Sequence, residues 1–279
     1  MRKVFLLFLL LIGLSGYSQN NINEAENLYA QGDYEAALAQ LTVADIKDPQ
    51  EYKLKGDCFH KLGDYRTALD YYDKSKLYGY HALDLYLNRG ICKISLNDYE
   101  GARIDLISYM EQNQEDPKVY YWMAVVEYMM LENKASLRFL DQALVLDSTY
   151  ADAYYLRGAN YVEQDKQLFA LSDFEQAFRL NPGMHRAKMN IAILMLEQEN
   201  YKGSMELFSE LKLESIDFID EVLYYRGEVS FRMHDLEGAC SDWKEAGDLG
   251  DLDAKDNYRK MCLEKNGKPR FKRRIYAEF

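Results

Sequence analysis

The fold is decided by a stretch in the middle of the chain, residues 153–161, which read AYYLRGANY. Its apolar residues recur three and four positions apart, which is the spacing of one helix face. After a short polar turn a second helical pattern begins, which carries Ala170 and Phe174 and stops at Pro182. The stretch therefore predicts a helical hairpin in which Gly158 and Ala170 let two antiparallel helices approach, and Phe174 fills the space beside them.

The hairpin pattern repeats along the chain with a period of 34 or 35 residues. Small residues recur at Gly56, Gly90, Ala124, Gly158, Ala192 and Gly227. A second small series follows 12 positions later at Ala68, Ala102, Ser136, Ala170, Ser204 and Ala239, and a bulky series 16 positions later at Tyr72, Leu106, Leu140, Phe174, Phe208 and Trp243. A fixed period in this range indicates a solenoid of stacked hairpins.

The repeat resembles the tetratricopeptide repeat (TPR), a 34-residue helix–turn–helix. The residues that carry the resemblance are Tyr154, Arg157-Gly158, Tyr161, Ala170, Phe174, Ala177 and Pro182. Some repeats depart from this pattern, with Lys93, Glu127 and Ser230 in place of Tyr161, and Tyr109 and Leu211 in place of Ala177. The resemblance implies an all-α, right-handed α-solenoid of about seven TPR hairpins plus a C-terminal capping helix.

The turn between the two helices also repeats. Its copies are Gly32-Asp33-Tyr34, Gly63-Asp64-Tyr65, Asn97-Asp98-Tyr99, Glu199-Asn200-Tyr201 and His234-Asp235-Leu236. Gly or Asn suits a left-handed residue at a helix end, and the following Asp or Asn caps the next helix. We therefore expect these acidic residues to be structural.

The repeats divide the chain into three parts. We expect a signal peptide over 1–18, the solenoid over 19–265 and a basic tail over 266–279. The repeats within the solenoid fall at about 19–48, 49–82, 83–116, 117–150, 151–184, 185–219 and 220–253, with the cap at 252–265. The end of the solenoid, from Ala239 to Ala254, also resembles a Sel1-type repeat, a relative of the same hairpin.

The first 18 residues have the composition of a leader. Arg2 and Lys3 precede an 11-residue apolar run, which is too short to span a bilayer. Small residues at Gly16 and Ser18 predict cleavage after Ser18, and the alternative is an uncleaved anchor. Either reading predicts export, to a periplasm or cell surface. With the leader cleaved, we expect a membrane association that is only indirect, through an envelope complex.

Charge limits the partners that the body can bind. Without its leader the chain carries 32 basic and 46 acidic side chains, a formal charge of −14. This sign argues against general binding to nucleic acid or an anionic membrane. The tail is basic, since residues 268–274 read KPRFKRR. It is either a solvated disordered end, a patch for phosphate or an acidic partner, or a segment that folds back on its own acidic body.

The four cysteines fall into two pairs. Cys240 and Cys262 lie on helices that we expect to pack together near the end of the solenoid, so they are candidates for a disulfide bond. Cys58 and Cys92 lie 34 residues apart at equivalent places on neighbouring helices, about 8–10 Å apart by helix-axis spacing. That separation is too long for a disulfide, so we expect two buried thiols.

The sequence contains no motif of catalysis or metal binding. Its four histidines fall in different repeats, and it has no HExxH, GxSxG, P-loop, GxGxxG or CxxC pattern. We therefore predict a protein that is not an enzyme and that has no cofactor, no metal and no small-molecule substrate.

The TPR resemblance implies that the first helices of the hairpins line a concave groove that binds a protein or peptide. Its expected residues are Leu87, Ile91, Ile94, Tyr121, Val125, Tyr128, Tyr155, Val162, Met189, Ile193, Leu196, Tyr224 and Phe231, with Ala159 and Glu228 on the same rows and Lys118, Arg186 and Glu221 at the rim. Exposed apolar surface of this kind marks binding sites. Alternatively, tight curvature buries these rows against neighbouring helices. The family's carboxylate clamp is not matched, because Leu87, Tyr121 and Tyr155 stand where its first Lys belongs.

Two functions remain open at this point. The first is an exported interaction scaffold, not an enzyme, that binds a partner segment in the concave apolar groove. The second is a structural component of an envelope assembly or secretion machine, which docks through its outer face and basic tail while the groove is filled by its own chain or a neighbour.

Overall fold

The computed structural model describes residues 21–41, 48–214, 216–265 and 268–271. The predicted leader, residues 42–47 of the first repeat, and residues 266–267 and 272–279 of the basic tail lie outside the described residues. The described residues form helices and no strands, which confirms the all-α prediction. They divide into two compact units, 1–130 and 131–279.

Unit 1 contains seven helices in its described residues. They are α1 (21–30), α2 (Tyr34–Leu41), α3 (Pro49–Lys61), α4 (Tyr65–Leu77), α5 (Leu83–Ser95), α6 (Tyr99–Met110) and α7 (Pro117–Met129). Consecutive helices pack as hairpins, and α5 also touches α3 and α7. Pro49 and Pro117 each occupy the first turn of a helix, where a missing N–H costs no hydrogen bond.

The described part of unit 2 contains eight further helices. They are α8 (Asn133–Leu146), α9 (Ala151–Glu163), α10 (Gln167–Leu180), α11 (His185–Glu197), α12 (Tyr201–Lys212), α13 (Ile219–Arg232), α14 (Leu236–Leu249) and α15 (Leu252–Tyr258). A π-helical turn, Arg259–Leu263, continues α15. None of the described helices combines the length and apolarity needed to cross a membrane.

The small and bulky series meet inside each hairpin. A Cβ added to Gly158 would lie 2.8 Å from the ring of Phe174, and one added to Gly227 would lie 2.7 Å from the ring of Trp243. Both rings are fully buried. The two series therefore fix how closely the helices of one hairpin approach.

The turn chemistry is as predicted. The first residue of the turn is left-handed in all five copies, with φ of 84°, 79°, 62°, 61° and 65° at Gly32, Gly63, Asn97, Glu199 and His234. The second residue then caps the next helix; the carboxylate of Asp98, for example, accepts the backbone N–H of Gly101 at 3.0 Å. These acidic residues therefore stabilise the turns.

Arginines that directly precede glycines of the first small series form a repeating set of ion pairs, the ion-pair ladder. In unit 2, Arg157 bonds Asp173 at 2.8 Å within its own hairpin and Asp141 at 2.9 Å on α8. In unit 1, Arg89 reaches Asp105 and Asp73 with the same offsets of 16 residues. Asp105 and Asp173 are buried, so these arginines balance charges that would otherwise destabilise the helix packing.

Candidate functional site

The groove positions predicted in unit 1 are largely covered. Tyr121, Val125 and Ile94 have exposed fractions of 6%, 0% and 8%. Leu87, Ile91 and Tyr128 are half-buried. Among the first helices of this unit, α5 touches both α3 and α7.

The predicted positions in unit 2 are covered still more. Six of the seven are buried, namely Tyr155, Val162, Met189, Ile193, Leu196 and Tyr224, and Phe231 is half-buried. Their burial agrees with the alternative reading, in which neighbouring helices cover the rows. The rows do not form an open apolar wall in either unit, so a binding site has to be sought where they reach a cavity.

Such a cavity lies beside α11 and α13 and has a volume of about 420 Å³. Its lining residues are Gln167, Ile193, Leu196, Glu197, Glu199, Tyr201, Tyr225, Glu228, Arg232 and Phe271. Ile193, Leu196 and Glu228 come from the predicted rows, whereas Glu197 and Glu199 were not predicted as site residues. The cavity therefore combines an apolar floor with an excess of negative charge.

Glu228 is the most buried acid of this cavity, with an exposed fraction of 5%. Burial raises the pKa of its carboxyl to about 7, and the nearby Glu197 adds to the rise. Arg232, whose guanidinium lies 3.4 Å from the carboxylate, acts in the opposite direction. The cavity thus contains a carboxyl group that a positively charged ligand would help to ionise.

Next to this cavity, unit 2 holds a segment of its own chain that has no regular secondary structure, residues 268–271. The backbone N–H of Arg270 donates to Oδ1 of Asn257 at 2.6 Å. Nδ2 of Asn257 and the hydroxyl of Tyr224 both donate to the carbonyl of Arg270, each at 2.9 Å. Asn257 on α15 thus binds both polar groups of one residue's backbone.

The side chains of the same segment have their own contacts. The ring of Phe271 lies 5.8 Å from that of Phe231, and the guanidinium of Arg232 lies 4.8 Å from its centre. Arg270 lies 3.9 Å from Asp253 and borders a second cavity of about 640 Å³. The acids that line this second cavity are Asp220, Glu221, Asp251, Asp253 and Asp256.

Two predicted rim residues, Arg186 and Glu221, form an ion pair at 3.0 Å, and Arg186 also stacks on Phe218 at 3.7 Å. Their charges are therefore engaged with each other. Lys118, the third rim residue, is exposed in unit 1.

The structure places the cysteines in two different states. Cys240 and Cys262 are joined by a disulfide bond that ties α14 to the π-helical turn, with their Cα atoms 5.9 Å apart. Cys58 and Cys92 are free and buried, and burial raises the pKa of each thiol to about 12. These two thiols are therefore protonated and inert at neutral pH.

Comparison with known proteins places the repeats in a family. Residues 22–82 match the family model of the tetratricopeptide repeat. BBSome complex member BBS4 of Bos taurus is 23% identical over 189 residues, which are 66% of this chain and 36% of that protein. The chain thus spans only about a third of this relative's length.

Two solved structures show the likeness in fold. A tetratricopeptide repeat protein from Parabacteroides merdae matches with a TM-score of 0.65 at 15% identity, over 88% of this chain and 98% of that one. YrrB, described as a TPR protein with an unusual peptide-binding site, matches with a TM-score of 0.52 at 22% identity, over 66% and 92%. At these identities the likeness shows the fold alone, and it confirms the predicted α-solenoid of helical hairpins. Residues 22–82 are therefore a tetratricopeptide-repeat segment, and the described hairpins have the fold of tetratricopeptide-repeat proteins.

Proposed function

We propose that this protein is an exported scaffold, not an enzyme, that binds an extended segment of a partner protein beside α11, α13 and α15 of unit 2. One observation carries the proposal: the surface already holds a segment without regular secondary structure, residues 268–271, through hydrogen bonds to its backbone. A surface that pairs with backbone groups can accept extended chains, because every residue except Pro offers the same N–H and C=O.

The two cavities beside this segment supply room for side chains. The 420 Å³ cavity has apolar and acidic walls, and the 640 Å³ cavity is acidic. Clefts of this size with a few polar groups are the usual binding sites of proteins. The proposed site replaces the long groove expected from the sequence with a short one at the C-terminal end of unit 2.

Two features support export. The composition of residues 1–18 is that of a leader. The disulfide between Cys240 and Cys262 is of a kind that persists in oxidising compartments and is rare in the cytosol.

Charge reversal at the cavity tests the proposal. Glu197 and Glu199 are exposed and line the cavity, so Glu197→Lys/Glu199→Lys changes the site without disturbing the core. Glu175→Lys/Glu206→Lys, at two exposed positions of α10 and α12, makes the same change in net charge elsewhere. Crosslinking and mass spectrometry in the native cell should detect a partner with the wild type and the control, and lose it with the cavity variant. Equal recovery with all three proteins would refute the proposal.

The second candidate function is a structural role in an envelope assembly, with docking through the second helices and the basic tail. Leu168 and Phe169 on α10 favour it, since 76% and 62% of these side chains are exposed. In that case Leu168→Ser/Phe169→Ser, or removal of residues 268–279, would abolish partner recovery while the cavity variant would leave it unchanged.

A further inference from the structure

We propose that residues 268–271 occupy the site in the way that a partner segment would, and that the partner segment therefore carries a basic residue followed by an aromatic residue. This inference rests on the proposed function. It states which class of peptide the site selects, and it implies that the tail competes with that peptide for the site.

The position of the bound segment is set by Asn257. Its side chain is fully buried, and both its amide oxygen and its amide nitrogen bond the backbone of Arg270. The hydroxyl of Tyr224 adds a third bond to the same residue. These bonds do not depend on the side chain of the bound residue. They hold one backbone position of an extended chain at this point, whatever residue occupies it.

Selection for a basic residue at this point comes from the acidic cavity. Arg270 borders five carboxylates, and Asp253 among them is 6% exposed and 3.9 Å away. An acidic side chain here would be repelled by these carboxylates, and an apolar one would lose the attraction that Arg270 has for Asp253. A Lys or Arg is the residue that fits.

Selection for an aromatic residue comes next along the segment. Phe271 packs against the ring of Phe231 and beneath the guanidinium of Arg232. An aromatic ring benefits from both contacts, because its face attracts the cation and its edge packs on the neighbouring ring. An aliphatic residue would keep only part of this stabilisation.

The cavity beyond Phe271 favours further basic residues in the ligand. Among the described residues that line it, Glu197, Glu199 and Glu228 are acidic and Arg232 is basic. In this chain the sequence after Phe271 is Lys-Arg-Arg, which has the complementary charge. The expected partner motif is therefore basic, aromatic, basic.

The tail should weaken the binding of a free ligand by occupying the site. A tethered segment acts at an effective concentration on the order of 1 mM. If it binds with a Kd of about 0.1 mM, it fills roughly nine-tenths of the sites and lowers the apparent affinity of a competitor about tenfold.

The test uses a fluorescent peptide with the sequence of residues 266–274, NGKPRFKRR, and the chain without its leader. Binding is measured by anisotropy to the wild type and to the Arg270→Ala/Phe271→Ala variant, whose substitutions lie on the tail and leave the helices intact. The variant should bind the peptide about tenfold more tightly than the wild type. A peptide with Ala in place of Phe271, and a scrambled peptide of equal charge, should each bind the variant at least tenfold more weakly.

Three results would overturn the inference. They are equal affinity of the peptide for the wild type and the variant, equal binding of the scrambled peptide, and a concentration-dependent dimer that exchanges tails between two copies. The scrambled peptide matters because the acidic body attracts any basic peptide. Peptide binding as expected, with no partner crosslinked at the cavity in cells, would refute the proposed function, and only the selectivity of the site for its own tail would remain. A crosslinked partner without the tenfold difference in peptide affinity would refute the inference and leave the proposed function standing.

Discussion

Replacing Asn257 with Ala should release the C-terminal segment from unit 2. The substitution removes two of the three hydrogen bonds to the backbone of Arg270 and leaves the one from Tyr224. At about 1 kcal/mol for each bond the docked state loses about 2 kcal/mol. This loss raises the ratio of undocked to docked segment roughly 30-fold. For a segment that is docked about nine-tenths of the time, the undocked fraction then rises from about one-tenth to about three-quarters.

Limited trypsin digestion with mass spectrometry measures this population directly. Trypsin cuts after Arg270, and Pro269 blocks the neighbouring cut after Lys268. When docking and undocking are fast, the cutting rate follows the open population, so cleavage after Arg270 should accelerate by about eightfold. Cleavage after Lys244, in the middle of α14, reports global unfolding and should not change by more than a few-fold.

Leu252→Ala is the matched control, because Leu252 lies on the same short helix and is 79% exposed. It should leave the rate of cleavage after Arg270 unchanged. The reasoning fails if Asn257→Ala accelerates this cleavage less than twofold, or if cleavage after Lys244 rises in parallel.

Three further substitutions test the packing and the charges of the fold. Gly158→Ala places a methyl group 2.8 Å from the buried ring of Phe174, so thermal unfolding should show a loss of about 1–3 kcal/mol, and Phe174→Leu in the same chain should restore part of it. Glu228→Gln should remove a pH dependence of stability. Burial raises the folded pKa of Glu228 from 4.5 to about 7, so the native state binds more protons than the unfolded state in this range, and the free energy of unfolding of the wild type falls by up to about 3 kcal/mol as the pH rises through it. Cys240→Ser should lower stability by about 3 kcal/mol, because it opens the loop closed by the bond to Cys262 over a separation of 22 residues.

Each of these results has a contrary outcome. A Gly158→Ala protein as stable as the wild type would show that the hairpin is not closed at this point. Urea unfolding of Glu228→Gln that keeps the same difference between pH 5 and pH 8 as the wild type would assign the pH dependence to other groups. Reduction of the wild type that leaves its melting temperature unchanged would show that the disulfide does not stabilise the fold.

The hairpins and their turns could be predicted because they depend on local chemistry. A Gly at position 158 and a Phe 16 residues later define one close helix contact, and that contact recurs at Gly227 and Trp243. The left-handed residue at Asn97 and the cap at Asp98 belong to the same four or five residues of chain. Such features can be read from the sequence because their partners are near in sequence.

Whether the predicted groove is open or covered could not be predicted in this way. Periodicity places Met189 on a particular face of α11, but it does not show how closely the next first helix, α13, packs. These two helices touch, and Met189 is fully buried. The ion-pair ladder, in contrast, could have been predicted from the sequence. Arg89, Arg157 and Arg226 each directly precede a glycine of the first small series and have an Asp 16 residues later.

The docked tail is the feature that sequence reasoning could only leave open. A basic segment and an acidic body made folding back one of three possibilities, but charge alone does not name the contact. The contact depends on Asn257, which is 13 residues from Arg270 and has no repeat equivalent to draw attention to it. The role of its carboxamide is evident only in the fold, where α15 places it beside Tyr224.

The most direct test of the proposed site is a photo-crosslinking residue at position 199, in place of the exposed Glu199, with crosslinks mapped to residues in the native cell. The account predicts that this position joins the chain to a partner segment in which an aromatic residue follows a basic one. It also predicts that the yield rises when Phe271→Ala releases the tail. A partner that is captured from position 169 on α10 and not from position 199 would contradict it.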